Sequence, residues 1–331
     1  MTTITGDMKR PLITFAVFAF NQEDYIVDAV RAALAQTYTP LEIIISDDCS
    51  TDQTSSLIQD VVANYAGQHK VRLNRNVPNL GIGGHTNKMM IELAQGELIV
   101  LAAGDDISVP ERVETIYNAW ERTGRKAYSV LSGYRRMSPE GVLEDVVTFP
   151  REEFVEEPVS DYLKRNRPMY GPGCVQACHR DVFRVFGPIT EAPDIEDNTI
   201  TIRGRFLGEV LLIEEVLVYW RRAGVVSSSK DPRWVWRQDA KYRYQTRKQV
   251  LKDLSTLPTK RLGSIDKKWR IAYAAKAGIL LSNTNSISAR FCGFIMLLPF
   301  CSLRENVFNF RLVHRQLARI PIRRLFKMKS T

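Results

Sequence analysis

At 331 residues, with 44% hydrophobic and 25% charged residues, the chain has the composition of a globular protein long enough to bury an ample core. Its net charge of +9 is divided unevenly: residues 1–232 carry 24 Lys/Arg against 33 Asp/Glu, and residues 233–331 carry 22 against 4. Five irregularly spaced cysteines exclude a disulfide framework, and no apolar run reaches the ~20 residues of a bilayer span. The N-terminal segment MTTITGDMKRP lacks the apolar stretch of a secretory signal, so a cytoplasmic protein is expected.

In chain order, Leu12–Phe20 reads as a buried strand. Tyr25–Ala35 follows as a helix, with Ile26, Ala29, Val30, Ala33 and Leu34 at helical spacing. Thr37–Pro40 breaks it, and Leu41–Ser46 is a second strand. Ser50 or Thr51 is expected to cap a helix running to about Tyr65. After the short strand Val71–Asn74, Gly81, Gly83 and Gly84 open a helix that ends near Gln95-Gly96. Glu97–Ala102 is the fourth strand, and Pro110 stands in the first turn of the next helix. This alternation predicts βαβ units, a largely parallel sheet with helices on both faces. Further strands are expected at Ala127–Arg135, Val142–Val147, Cys174–His179 and Val210–Trp220, with a helix at Ile195–Phe206. Beyond Asp231 come a charged helix over Arg233–Lys252 and a more apolar one over Trp269–Leu281.

Two carboxylate doublets, Asp47-Asp48 and Asp105-Asp106, stand at the ends of successive strands, where open α/β sheets bind ligands. Either could be a turn-forming pair, since Asp readily bonds its own backbone. Together they point to a site for a nucleotide and a hard divalent cation, because such cations take oxygen ligands alongside phosphates. Gly81-Ile82-Gly83-Gly84 lacks the Lys-Ser/Thr of a P-loop, and a tight turn or close backbone approach is its expected role. Cys174, Cys178 and His179 have no second ligand pair at zinc-finger spacing and read as packing residues.

The run AVFAFNQEDYIVDAVRAALAQTYTPLEIIISDDCSTDQT resembles the N-terminal half of the family 2 inverting glycosyltransferases. NLGIGGHTNKMMIELAQGELIVLAAGDD is similar to the block ending in their DXD motif, and PDIEDNTITIRGRFLGEVLLIEEVLVYWRRAG to the block holding the catalytic base. The resemblance spans roughly Pro11–Ser229 and implies a GT-A fold, a Rossmann-like mixed sheet flanked by helices. It implies that Asp48 accepts a hydrogen bond from the nucleotide base in a pocket lined by Phe18, Ala19, Phe20 and Asn21. It further implies Asp106 as ligand of Mn²⁺ or Mg²⁺, Asp105 beside the sugar or ribose, Asp197 as general base, and Arg221 and Arg222 facing the diphosphate. Three positions depart from the family pattern: Ala103 replaces the first aspartate of DXD, Cys49 a glycine, and Ala223 a frequent histidine.

The implied activity is inverting transfer of a sugar from a nucleotide-diphosphate sugar to a hydroxyl of a glycan or lipid-linked acceptor, as in O-antigen assembly. Two alternatives are a catalytically silent nucleotide- or glycan-binding scaffold and a sugar nucleotidyltransferase. The second usually grips its triphosphate with a basic loop, and Asn21-Gln22-Glu23-Asp24 has the opposite charge. Residues 1–231 are expected to form the catalytic domain and 232–331 a basic helical region. In the latter, Arg311, Arg315, Arg319 and Arg323 recur among apolar residues, as in a helix lying on the anionic inner face of the cytoplasmic membrane. No nucleic-acid-binding motif accompanies these arginines, and the acidic body would repel a polyanion.

Overall fold

The computed structural model describes residues 10–149, 153–154, 171–223, 242, 245–246 and 248–257. The expected domain boundary after Asp231 and the C-terminal helices at 269–281 and 311–323 lie outside them.

The strands are β1 (Ile13–Ala19), β2 (Leu41–Asp47), β3 (Lys70–Arg75), β4 (Leu98–Ala103), β5 (Ile107–Ser108), β6 (Ala127–Met137), β7 (Leu143–Val147), β8 (Glu153–Phe154), β9 (Gln176–His179) and β10 (Glu209–Arg221). They form one sheet in the order β3-β2-β1-β4-β9-β6-β10-β5, with β7 on β6 and β8 on β10. The first four are parallel to one another. From there the sheet is mixed: β9 is antiparallel to both β4 and β6, while β10 runs parallel to β6. Alternation of strand and helix correctly marks the first half, but connections through β9 and β7 reverse direction in a way that hydrophobic runs alone do not reveal.

Nearly every residue of β1 and β2 is buried, which suits strands covered on both faces of the sheet. On one face, Ile26, Val30 and Ala33 of α1 (Ile26–Leu34) pack with Phe15, Val17, Ile43 and Ile45. On the other, Ala16, Ile44, Ile99 and Leu101 meet Met89 and Met90. Those methionines lie in or beside a π-helical turn, Lys88–Leu93, that continues α3 (Gly81–Asn87). The remaining helices of the sheet region are α2 (Thr54–Ala63), α4 (Arg112–Arg122), α5 (Asp181–Phe186) and α6 (Asp197–Leu207).

Helix α2 begins at Thr54, later than the Ser50 or Thr51 cap expected from sequence. The Ser50 hydroxyl is already engaged, donating to Asp47 and accepting from the Asn21 N–H at 2.9 Å. Asp52 instead receives the Thr54 N–H at 2.9 Å. The Gln36-Thr37-Tyr38 turn is a structural clamp. Gln36 donates to Val109 O at 2.8 Å and accepts from Val113 N at 3.0 Å, and the buried Tyr38 hydroxyl donates to Pro11 O at 2.6 Å.

By its contacts the chain divides into two compact units, Met1–Glu157 with Asn166–Gln238, and Pro158–Arg165 with Asp239–Thr331. In the second, residues 248–256 are helical, with Val250 and Leu254 buried. No helix among the described residues is long and apolar enough to cross a membrane.

Candidate functional site

The carboxyl ends of β1, β2 and β4 converge at the point where the chain switches from building outward through β2 and β3 to adding β4 on the other side of β1. A crevice is expected at such a reversal. A cavity of about 780 Å³ is present there, lined by Phe18, Ala19 and Phe20 of the first strand end, Asp48 of the second, and Ala103 and Asp105 of the fourth. Arg221 at the end of β10 and Glu196 before α6 also line it. Six residues expected from the sequence therefore share one cavity: Phe18, Ala19, Phe20, Asp48, Asp105 and Arg221.

Four others do not line it. Asn21, at φ 50°, turns its side chain to the Thr51 N–H at 2.9 Å and so fastens the β1 exit to the β2 exit. Arg222 pairs with Glu144 on the β6–β7 hairpin. Asp106 is buried, accepting the Arg221 backbone N–H at 2.7 Å and a hydrogen bond from the Cys174 thiol. Asp197 starts α6 and accepts the Asn198 N–H at 2.8 Å, one residue beyond the cavity-lining Glu196.

Asp48 is 3% exposed and organises the loop between β3 and α3. Its Oδ1 accepts from Asn76 Nδ2 at 2.8 Å and Leu80 N at 2.9 Å, and its Oδ2 from Gly81 N at 2.9 Å. Gly81 has φ +69°, which a glycine adopts without steric cost. Gly83 fills the expected close approach: its N–H donates to Pro193 O at 2.9 Å, and a Cβ there would stand 2.9 Å from Pro193 backbone. This contact ties the start of α3 to the segment carrying Glu196. His85, absent from the sequence-based site, lines the cavity with its ring edge-on to Phe18 at 5.0 Å and Nε2 at 2.7 Å from Ser46 Oγ. Burial lowers its pKa against the pull of Asp48 and Asp47, favouring the neutral ring.

Arg221 is built into place. Its Nε donates to Asp105 O and its NH1 to Pro139 O, both at 2.9 Å, and the guanidinium lies 4.6 Å from the Tyr25 ring centroid. Beneath it, fully buried Arg112 donates to Leu101 O at 2.8 Å, Cys174 O at 2.5 Å and Ser108 Oγ at 2.9 Å. Burial, followed by the Asp105 charge, pushes the Asp106 carboxyl up, while Cys174, the Arg221 N–H and Arg112 pull it down. Asp105 is also raised by burial, opposed by its own backbone, Arg221 and Gln22.

Only one carboxylate of the β4 end therefore faces the cavity, and among the described residues no three His, Cys, Asp or Glu side chains cluster as a metal cage. That arrangement still fits a hard cation held mainly by phosphate and water, which needs one or two protein carboxylates. Asp105 is the residue placed to supply one.

The third acidic pair differs in electrostatics. Burial and then the neighbouring Asp197 charge push Glu196 up to about 8. Asp197 is raised by burial alone, and backbone N–H groups oppose the rise. Burial thus disfavours the charged form of both carboxyls, and the charge on Asp197 raises Glu196 further. Trp220 and Cys174 also line the cavity and were missed from sequence, where an aromatic in a strand and a buried cysteine give no cue to a ligand.

These features accord with the comparisons to known proteins. Residues 14–185 match the family model "Glycosyl transferase family 2". Chondroitin synthase of Escherichia coli is 38% identical over 111 residues, covering 33% of this chain and 16% of that protein. Succinoglycan biosynthesis protein ExoO of Rhizobium meliloti is 34% identical over 116 residues, 35% of this chain and 32% of that one. The matched segments thus span at most about a third of these two relatives. Among solved structures, S. aureus TarS 1-349 in complex with UDP-GlcNAc aligns at TM-score 0.52 and 16% identity, covering 92% of this chain and 91% of that one, a likeness of fold. The chain belongs to glycosyl transferase family 2 and has its mixed α/β fold.

Proposed function

We propose that this glycosyltransferase moves a sugar, with inversion, from a nucleoside-diphosphate sugar to a hydroxyl of a glycan or lipid-linked acceptor. The observation that carries this reading is the cavity itself. It combines a buried carboxylate (Asp48), a second carboxylate beside a fixed arginine (Asp105, Arg221), and Glu196, the neighbour of Asp197. Those are the groups needed for a base, a diphosphate and an attacking hydroxyl.

Phe18 and Asp48 receive the nucleobase. Arg221, held by two carbonyls and Tyr25, faces the diphosphate without reorganising as charge develops there. A divalent cation, Mn²⁺ or Mg²⁺, bound through Asp105 would neutralise the leaving group. Asp106 contributes by fixing the Arg221 backbone rather than by touching the ion. Asp197 takes the proton of the acceptor hydroxyl as it attacks the anomeric carbon. Glu196, still protonated near neutral pH, donates a hydrogen bond on the cavity side. Attack and departure in one step invert the anomeric centre.

The names of the relatives, one a chondroitin synthase and one a succinoglycan biosynthesis protein, support a glycan acceptor. Contact with an anionic membrane rests on the excess of basic residues in 233–331, each worth ~1 kcal/mol near such a surface. Absence of binding to anionic liposomes at low salt would remove that part of the proposal.

The test of the activity is release of free nucleoside diphosphate from a panel of UDP-, dTDP- and GDP-sugars with Mn²⁺. Release by the wild type that disappears in Asp197→Asn is expected. Nucleotide binding without release from any donor would favour the silent scaffold instead.

A further inference from the structure

A continuous run of contacts joins Arg221 to the Glu196-Asp197 pair. The Arg221 backbone N–H donates to Asp106 at 2.7 Å, and the same carboxyl accepts from the Cys174 thiol. Gly173 precedes that cysteine, and a Cβ on it would stand 3.2 Å from Glu196 Oε1 and 3.4 Å from Asp197 Cβ. Gly173-Cys174 is therefore the segment that spans from the arginine to the acidic pair, and both residues line the cavity. A sugar whose anomeric carbon sits between a departing diphosphate and a base lies against this segment.

Ala103 and Trp220 line the cavity with it, and both pack on the buried cluster of Tyr134, Cys174, Val175 and Val218. The Trp220 ring stands nearly perpendicular to that of Tyr134, with centroids 5.8 Å apart. The side chains of this wall offer a sugar hydroxyl no strong acceptor. Ala103 presents a methyl group where the family pattern has an aspartate. The Cys174 thiol is committed to Asp106, and its carbonyl receives Arg112 at 2.5 Å. The Gly173 carbonyl already accepts the Gln176 N–H. An indole is a donor only. A hydroxyl pressed against such a wall leaves a hydrogen bond unmade, whereas a methyl group there removes apolar surface from water.

Resting on the nucleotide-sugar reading above, we infer that the transferred sugar turns a methyl group to the wall formed by Ala103, Cys174 and Trp220. That methyl is C6 of a 6-deoxy sugar or the end of an acetamido group.

The experiment is calorimetric titration of the full-length wild-type protein with Mn²⁺ throughout. The ligands are UDP, dTDP and GDP, bare and carrying glucose, galactose, their 6-deoxy forms and their N-acetylamino forms. On the base that binds, a methyl-bearing sugar is expected to bind at least about tenfold more tightly than its parent hydroxyl sugar. A 6-deoxy form in the lead places the methyl at C6, and an N-acetylamino form in the lead places it on the acetamide. Ala103→Ser, which puts a hydroxyl on the wall, is expected to narrow that preference severalfold. Parent sugars binding as tightly as their methyl-bearing forms overturn the sugar assignment, as does a preference unchanged in Ala103→Ser, and both leave the nucleotide site intact. If no bare or sugar-linked diphosphate binds, the nucleotide-sugar reading fails, and the sugar assignment fails with it.

Discussion

The ends of β2 and β4 carry the same dipeptide, Asp-Asp, and use it in opposite order. At β2 the first aspartate is structural: Asp47 takes the Ser50 N–H and hydroxyl and lies 3.3 Å from Arg75, while Asp48 reaches the cavity. At β4 the first aspartate reaches the cavity, and Asp106 turns inward to Arg221 N and Cys174. Neighbouring side chains leaving a strand point to opposite sides, so one member of a doublet is directed to the ligand and the other to the scaffold. The path of the chain after the strand decides which. A doublet in the sequence therefore locates a site without assigning the roles within it.

The Glu196-Asp197 pair sharpens this lesson, because there one carboxyl lines the cavity and the next residue begins α6. Asp197→Asn should lower turnover by ~10²–10⁴ with donor binding retained, as expected on removal of a general base. Steady-state kinetics with parallel titrations of the nucleotide measure both. An Asp197→Asn enzyme that turns over normally would transfer the base to another group.

For the other doublet, Asp106→Asn should cost stability chiefly, ~1–3 kcal/mol, since the buried carboxyl is the acceptor of the Arg221 N–H and the Cys174 thiol. Chemical denaturation would show it as a lower midpoint. An Asp106→Asn midpoint equal to wild type would mean that Asp106 has no scaffold role.

Glu196→Gln should change turnover little at neutral pH, because the native carboxyl already holds its proton there. Its effect appears in the pH dependence. A carboxyl raised to about 8 when folded contributes stability that is fully present below its unfolded value, ~4.3, and is lost progressively until pH has risen through 8. The variant should therefore gain in Tm over wild type progressively from about pH 4.3 to 8 and level off above, and its rate profile should lose an alkaline limb near 8. A Tm difference independent of pH would contradict the assignment.

The smallest expected effect concerns Cys49, which adopts φ 65° where the family pattern has glycine. Relief of the left-handed strain in Cys49→Gly, less the added freedom of the unfolded chain, should stabilise by up to about 1 kcal/mol. A thermal melt that shows destabilisation would mean the thiol packs usefully.

Much of this architecture was legible in the residues. The central strands announced themselves as buried apolar runs, and the acidic ends of β2 and β4 fell at the switch point the alternating pattern implies. What the sequence did not reveal was direction. Periodicity cannot show that β9 enters antiparallel beside β4, nor that the π turn at Lys88–Leu93 continues α3. The same blindness affected the site. Asn21 is expected in the base pocket, yet the hydrogen bond of its side chain to the Thr51 N–H joins two strand exits. His85 and Trp220 line the cavity without any local pattern to mark them.

Asp105 and Asp106 divide the work at the β4 end, and one thermal-shift series separates their roles. UDP would be added with and without Mn²⁺ to wild type, Asp105→Asn and Asp106→Asn, reading the Mn²⁺-dependent gain in Tm over each protein's own baseline. That gain should vanish in Asp105→Asn and persist in Asp106→Asn despite its lower starting Tm. A gain that persists in Asp105→Asn and vanishes in Asp106→Asn would contradict that division.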